Sequence, residues 1–382
     1  MLCFANYINS YDEKIVKVLY NKTIGGCKLM NIEYLDVKSD VFDDVVEDIK
    51  QRNLSRNNMP KLIVGTGLSV IYGVPGMKAL AEQLNNEIVN SSLTELKVMW
   101  ESHYDNICRN GLEAGLANIT QAEAILVDEI KAITAAYILD SEENLHSTIL
   151  EKNTGFSRLL GYLSETVSVN KKVIDIMTPN YDRIIEIICD KLGIGVITGF
   201  TGSLYGKFNK NLLRQPTEMY NCKNCTWVRL FKPHGSINWI NEDGSEYLTN
   251  DYGVLRKKAK YIEIVTPGSS KYKEGLTNNT FRCMREEFNE LLNPEESYSL
   301  LVYGYGFNDD HFDTALFDSF QKNVLILSRD VKEEILNKAL ERKNITVFYH
   351  EEDKEYMIYK SRKYLIDLPV WDINQFADLF LG

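Results

Sequence analysis

Lys61-Leu62-Ile63-Val64-Gly65-Thr66-Gly67-Leu68-Ser69 sets a short apolar run directly against a glycine turn. An uninterrupted apolar run has no solvated face, so it reads as a strand of a parallel sheet covered on both sides, and the glycines as the turn leaving its carboxyl end. Behind Gly73-Val74-Pro75-Gly76, the residues Met77, Leu80, Ala81, Leu84 and Ile88 recur at helical spacing, with Pro75 where a fixed φ suits a helix entry. The same strand-to-turn pattern returns three times. Residues 172–177 run into Thr178-Pro179-Asn180-Tyr181-Asp182, residues 228–232 into Pro233-His234-Gly235, and residues 299–303 into Gly304-Tyr305-Gly306-Phe307-Asn308-Asp309. Strands that alternate with helices in this way predict an α/β fold: a Rossmann-like, doubly wound parallel sheet.

Outward from these blocks, Phe42, Val45, Val46 and Ile49 predict a surface helix capped by Ser39 or Asp40, its acidic run a solvated face or a docking surface. From about Leu93 to Val167 the spacing stays helical, which predicts an all-helical insertion between the first and second core strands. Ile184, Ile185, Ile188 and Leu192 make a helix ended by Gly193. Residues 194–228 read as an irregular excursion, and those from Trp239 through Lys260 as a polar hairpin region before a strand at 261–266. Its basic cluster, Arg256-Lys257-Lys258-Ala259-Lys260, reads as a lysine-protected hairpin edge rather than a phosphate or partner contact. Phe281, Met284, Phe288 and Leu291 predict a helix, and the tail alternates strand 323–327, helix 332–341 and strand 345–349. The expected organisation is an extension over 1–55, a nucleotide-binding domain over 56–330 with its insertion at about 93–167, and an α/β segment over 331–382 that completes or flanks the sheet. Met30 stands beside Met1 as an alternative start.

The chain has 382 residues, 44% of them hydrophobic and 11% aromatic, enough to build a large packed core. Its net charge of -11 repels nucleic-acid phosphates and anionic lipid at long range, so neither is an expected partner. Seven cysteines, odd in number and scattered, read as reduced thiols. No apolar run approaches a membrane span and no leader is legible, so a cytoplasmic protein is expected.

Each block carries residues with a chemical and a plain structural reading. Gly65, Thr66, Gly67 and Ser69 either bring backbone N–H groups to a pyrophosphate or simply form a tight strand-to-helix turn. Asn180 offers a donor and an acceptor to a ribose hydroxyl or a carboxamide, or else caps the helix it opens. Asp182, in the first turn, reads as a dipole-complementing carboxylate before a catalytic acid. His234 is either a satisfied core histidine or a base that titrates near neutral pH, and its company with Asn180 favours the base.

Together these strings resemble the sirtuin superfamily. Gly65-Thr66-Gly67-Leu68-Ser69 with Gly73-Val74-Pro75 is similar to its glycine motif, Thr178-Pro179-Asn180-Tyr181-Asp182 to its Thr-x-Asn-x-Asp motif, and His234-Gly235 to its catalytic His-Gly. His234-Gly235-Ser236-Ile237-Asn238-Trp239 and Tyr303-Gly304-Tyr305-Gly306-Phe307-Asn308-Asp309 look most like the bacterial sirtuin-like branch of anti-phage defence, whose members deplete NAD. The resemblance covers residues 55–330. It implies an NAD+ hydrolase that breaks the nicotinamide–ribose bond, with Asn180 and His234 catalytic. Gly65, Thr66, Gly67, Ser69, Gly73, Pro75, Asp182, Gly304, Gly306, Phe307, Asn308 and Asp309 would then hold NAD. It also implies a homo-oligomer working with a HerA-like ATPase. An NAD-dependent protein deacylase and a non-catalytic NAD- or ADP-ribose-binding scaffold are the rival readings. Gly76-Met77-Lys78 stands where deacylases carry Asp-Phe-Arg, and Cys222 and Cys225 precede His234 with no second pair after it, so no metal is expected.

Overall fold

The computed structural model describes residues 32–170, 172–216, 225–268, 278–293, 295–307 and 310–382. Its strands, in chain order, are β1 (Glu33–Tyr34), β2 (Pro60–Val64), β3 (Val173–Met177), β4 (Gly195–Ile197), β5 (Phe200–Thr201), β6 (Lys207–Phe208), β7 (Trp227–Phe231) and β8 (Gly235–Glu242). They continue with β9 (Ser245–Leu248), β10 (Ile262–Ile264), β11 (Ser299–Tyr303), β12 (Asn323–Leu327), β13 (Ile345–Glu351), β14 (Lys354–Tyr359) and β15 (Arg362–Ile366). Ten of them form one sheet in the order β1, β15, β14, β13, β12, β11, β2, β3, β7, β4.

From β13 to β4 every pairing is parallel, and every residue of β2 and β11 is buried, as expected where helices cover both faces. β2 is flanked by β11 and β3, so the turns after these three strands leave the sheet side by side. The sheet is not parallel throughout. β13, β14 and β15 are antiparallel neighbours, and β1 from the N-terminal extension closes the edge parallel to β15. Two tight turns at Asp353 and Ser361, both with positive φ, make this meander.

The capped helix Asp40–Asn53 forms as the sequence predicts, with Ser39 Oγ accepting from the Phe42 N–H and Phe42, Val45 and Ile49 buried. Between β2 and β3 the described residues are helical, from Gly67–Tyr72 through Met77–Asn90, Thr94–Asn110 and Ala124–Glu151 to Gly155–Thr166. This lobe has its own core around Leu84, Leu96, Trp100, Leu116 and Ile130. It is also tied to the chain's last helix, Ile373–Phe380: Asn374 Oδ1 accepts from the Gly155 N–H at 2.8 Å, and Arg158 pairs with Asp378 at 2.6 Å.

One stretch differs from its sequence reading. The hairpin β8–β9 is present, but Tyr252–Lys257 is a short helix, capped by the Asp251 side chain on the Val254 N–H. The basic cluster therefore ends a helix instead of edging a hairpin, and Arg256 reaches Glu143 of the long helix at 2.5 Å. The strand expected at 261–266 is β10, which pairs antiparallel with β8 in a separate small sheet. Local apolar pattern identifies such a strand without naming its partner.

Candidate active site

The two glycine turns pack against each other. The Gly65 N–H donates to the Tyr303 carbonyl at 2.8 Å and the Gly67 N–H to the Gly304 carbonyl at 3.1 Å. A Cβ on Gly65 would lie 2.3 Å from the Gly304 carbonyl oxygen, and one on Gly304, whose φ is +56°, would lie 2.6 Å from the Gly67 Cα. Only glycine allows that approach. These two N–H groups are thus engaged within the protein, and Gly65, Gly67 and Gly304 shape the site through close packing. Gly73, with φ +91°, ends the helix Gly67–Tyr72 through its N–H on the Ser69 and Val70 carbonyls.

β3 delivers Asn180 beneath this junction. Thr178 Oγ1 donates to the Val64 carbonyl at 2.6 Å and accepts from the Asn180 N–H at 3.1 Å, which fixes the backbone. The Asn180 Nδ2 donates to the Gly65 carbonyl at 2.9 Å and to Ser69 Oγ at 3.1 Å. Its Oδ1 is buried and has no hydrogen-bond partner among the described residues. Asn180 therefore does not cap the helix Ile184–Leu192. Asp182 serves that end, accepting from the Ile184 N–H at 3.2 Å with one oxygen and from Ser69 Oγ at 2.6 Å with the other. Burial raises the Asp182 carboxyl above its ordinary range, opposed by the Lys232 ammonium and the Ser69 hydroxyl.

His234 sits in the turn between β7 and β8. Its carbonyl accepts from the Val265 N–H at 2.9 Å, and the Val265 carbonyl accepts from the Tyr181 hydroxyl at 2.6 Å. One backbone residue beside β10 so links both catalytic candidates' turns. Gly235 has φ +81°, and a Cβ there would meet the Glu263 carbonyl oxygen at 2.2 Å.

The turns open on a cavity of about 190 Å³. Thr66, Ser69, Asn180, Asp182, His234 and Gly306 line it, and Pro75 stands at its wall. The rest of the lining is mostly apolar: Val70, Met77 and Leu80 from the helices after β2, Val74 from the turn between them, Ile138 from the long helix, and Tyr305. Phe307 does not reach it. That residue is buried with φ +54° and packs on Tyr305, ring centroids 5.2 Å apart. Asn308 and Asp309 lie outside the described residues.

Sequence reasoning missed Tyr181, Ile138 and Glu113 as lining residues. Glu113 and Ile138 come from the helical lobe, far away in the chain, and only the fold brings them to the cavity. Met77 and Leu80 read as part of a buried stripe; Leu80 is buried and Met77 half-buried, and both also form the cavity wall.

Beneath the site lies a buried charged cluster. Glu142, on the long helix and fully buried, accepts from the Arg183 backbone N–H and pairs with its guanidinium at 2.6 Å. Tyr252 donates to the same carboxylate at 3.0 Å. Lys232, fully buried, pairs with Glu186 at 3.2 Å. Burial also pushes the Glu186 carboxyl up.

Residues 175–348 match the SIR2-like domain family. The match starts in β3 and ends in β13, so it spans Asn180, His234 and the Gly304 turn, while the Gly65 turn and the helical lobe lie before it. Over that span the chain is similar to SIR2-like domains, which fits an NAD-related activity. No curated protein matches the chain. Among the described residues no three His, Cys, Asp or Glu side chains converge as a metal site, and Cys222 is outside them. No helix of the described residues is long and apolar enough to cross a membrane.

The cavity thus has mostly apolar walls with a few convergent polar groups, a common design of small-molecule sites.

Proposed function

We propose that the protein is an NAD+ hydrolase that cleaves the nicotinamide–ribose bond to release nicotinamide and ADP-ribose. The observation that carries this reading is the Asn180 Oδ1, a buried acceptor with no hydrogen-bond partner among the described residues, on a side chain that lines the same cavity as His234. A buried polar atom left without a partner is costly, and a substrate hydroxyl or water that donates to it offsets that cost. Asn180 is held rigidly on its other side, so it can orient the ribose or the attacking water with little loss of freedom on binding. His234 engages a ribose hydroxyl or accepts the proton that water gives up. The apolar walls keep bulk water from the reacting ring.

The SIR2-like domain supports NAD as the substrate. The absence of Asp-Phe-Arg after Gly73-Val74-Pro75 supports hydrolysis over protein deacylation. We place this activity in anti-phage defence, in a homo-oligomer controlled by a HerA-like ATPase, on the resemblance of the His234 to Trp239 and Tyr303 to Asp309 strings.

The test is nicotinamide release from NAD+ by the purified chain with no acylated peptide present. Turnover should fall by about 100-fold or more in His234→Ala and in Asn180→Ala, both with wild-type circular dichroism. Release that appears only with an acyl-lysine peptide, or survives both substitutions, refutes the reading.

A further inference from the structure

Lys232 is fully buried two residues before His234, and a lysine is seldom found there unless each of its protons has a partner. Its Nζ donates to the Asp182 carbonyl at 2.5 Å and to Ser236 Oγ at 2.8 Å, faces Glu186 Oε1 at 3.2 Å, and lies 3.4 Å from the Tyr181 carbonyl. Ser236 in turn donates to the Tyr181 carbonyl at 3.2 Å. Asn180 and His234 stand at the ends of two different strands. The ammonium bonds the backbone just after Asn180, the helix that follows it, and the hydroxyl just after the His234 turn.

We propose that Lys232 is a positioning residue of this site, holding the Asn180–Asp182 loop in register with the His234 turn from beneath. The inference rests on the NAD-hydrolase reading for its activity readout. It also has an electrostatic side. The charged groups that act on Asp182 are Lys232 and, from the long helix, Glu142; Glu186 and Arg183 are the ion-pair partners of those two, and His234 lines the same cavity. Without Lys232 the carboxylates dominate, so Asp182 takes up its proton at higher pH and ceases to be an obligate acceptor for Ser69.

The experiment compares Lys232→Met with wild type by nicotinamide release across pH. The expected result is a cooperatively folded variant whose kcat is about 100-fold lower while the KM for NAD+ changes little, since a misplacement of about 1 Å has that effect. The acidic limb of its kcat profile should move up by about one pH unit. A merely structural lysine would leave that limb in place. A folded Lys232→Met with wild-type kcat and an unmoved acidic limb overturns the inference. Should Lys232→Met fail to fold, Ser236→Ala removes the link to the His234 turn and leaves every charge in place; about a 10-fold fall in kcat is then expected, and wild-type kcat is the refutation. Wild-type protein that releases no nicotinamide refutes the activity and not this inference. The readout is then the backbone amide resonances of the Asn180–Asp182 loop and the His234 turn by NMR, which shift together in Lys232→Met if the lysine holds the two in register; superimposable resonances at both overturn it.

Discussion

The Asp182 carboxylate sets the direction of the Asn180 carboxamide without touching it. Ser69 Oγ has one proton and gives it to Asp182 at 2.6 Å, so it can only accept from Asn180, which turns its Nδ2 to Ser69 at 3.1 Å and leaves its Oδ1 without a hydrogen-bond partner among the described residues. The polarity of the chain is fixed by the Asp182 oxygen that accepts at its end, and a reversed amide would leave a donor where the free acceptor now stands.

Ser69→Ala should therefore impair turnover while sparing the fold. The variant frees the carboxamide to flip and removes a hydrogen bond to a charged group, an interaction of about 1.5–3 kcal/mol, so a fall of roughly 10- to 100-fold in kcat/KM is expected. Steady-state assays beside thermal melts measure it. Unchanged kcat/KM would show that Ser69 does not orient Asn180.

Asp182 also predicts a pH signature in stability. Its carboxyl is raised by burial above the ordinary 3.8, so the folded chain holds the proton at pH values where the unfolded chain has lost it. The contribution of such a group to stability is greatest below the unfolded value and declines as pH rises toward the folded one. Asp182→Asn does not titrate. Subtracting its melting temperature from that of wild type cancels opposing groups such as Asp48 and Glu123, whose carboxyls are lowered. The difference should shrink or change sign as pH rises above the ordinary 3.8, and a constant difference would mean that Asp182 is not raised.

Much of this arrangement was legible in the sequence, and the reason is local. β2, β3, β7 and β11 are buried on both faces and read as short apolar runs, so the turns that carry Gly65, Asn180, His234 and Gly304 could be placed at strand ends. What escaped depends on distant pairing. Lys354–Tyr359 mixes charge with apolar residues, and nothing in it announces an antiparallel strand that turns the sheet back toward β1. The role of Ser69 was equally hidden, because its partner Asp182 lies 113 residues away. Glu142 is one of several acids on the long helix, and nothing local marks it as the one fully buried on Arg183.

The glycine junction predicts a sharp asymmetry. Gly67→Ala would set a Cβ 2.7 Å from the Gly304 Cα, backbone against backbone, where nothing flexible can yield. Gly76, which precedes the helix Met77–Asn90 and lines the same cavity, has open space at its Cβ and an extended φ of -80°. Gly67→Ala should lower the melting temperature and abolish NAD turnover, since the Gly65 carbonyl that holds Asn180 moves with the turn. Gly76→Ala should melt within a few degrees of wild type, as surface substitutions of about 0.5 kcal/mol do. Equal melting temperatures in the two variants would contradict the packing described here.

Two neighbouring acids on the long helix should differ as strongly. Glu142 is fully buried, meets Arg183 through its backbone N–H and its guanidinium, and accepts from Tyr252 as well. Its removal leaves a buried guanidinium without its counter-charge, and breaking a buried pair from one side costs about 3–5 kcal/mol. Glu143, one residue on, pairs with Arg256 at 2.5 Å, but that arginine is 54% exposed and water replaces the lost partner. Such a pair contributes about 1 kcal/mol or less. Urea unfolding should thus place Glu142→Ala well below wild type and Glu143→Ala near it. Because Arg183 directly follows Asp182, Glu142→Ala should also lose NAD turnover under conditions where it remains folded, which Glu143→Ala should not. If the two variants unfold at the same urea concentration, the helical lobe is not clamped to the catalytic loop through Glu142.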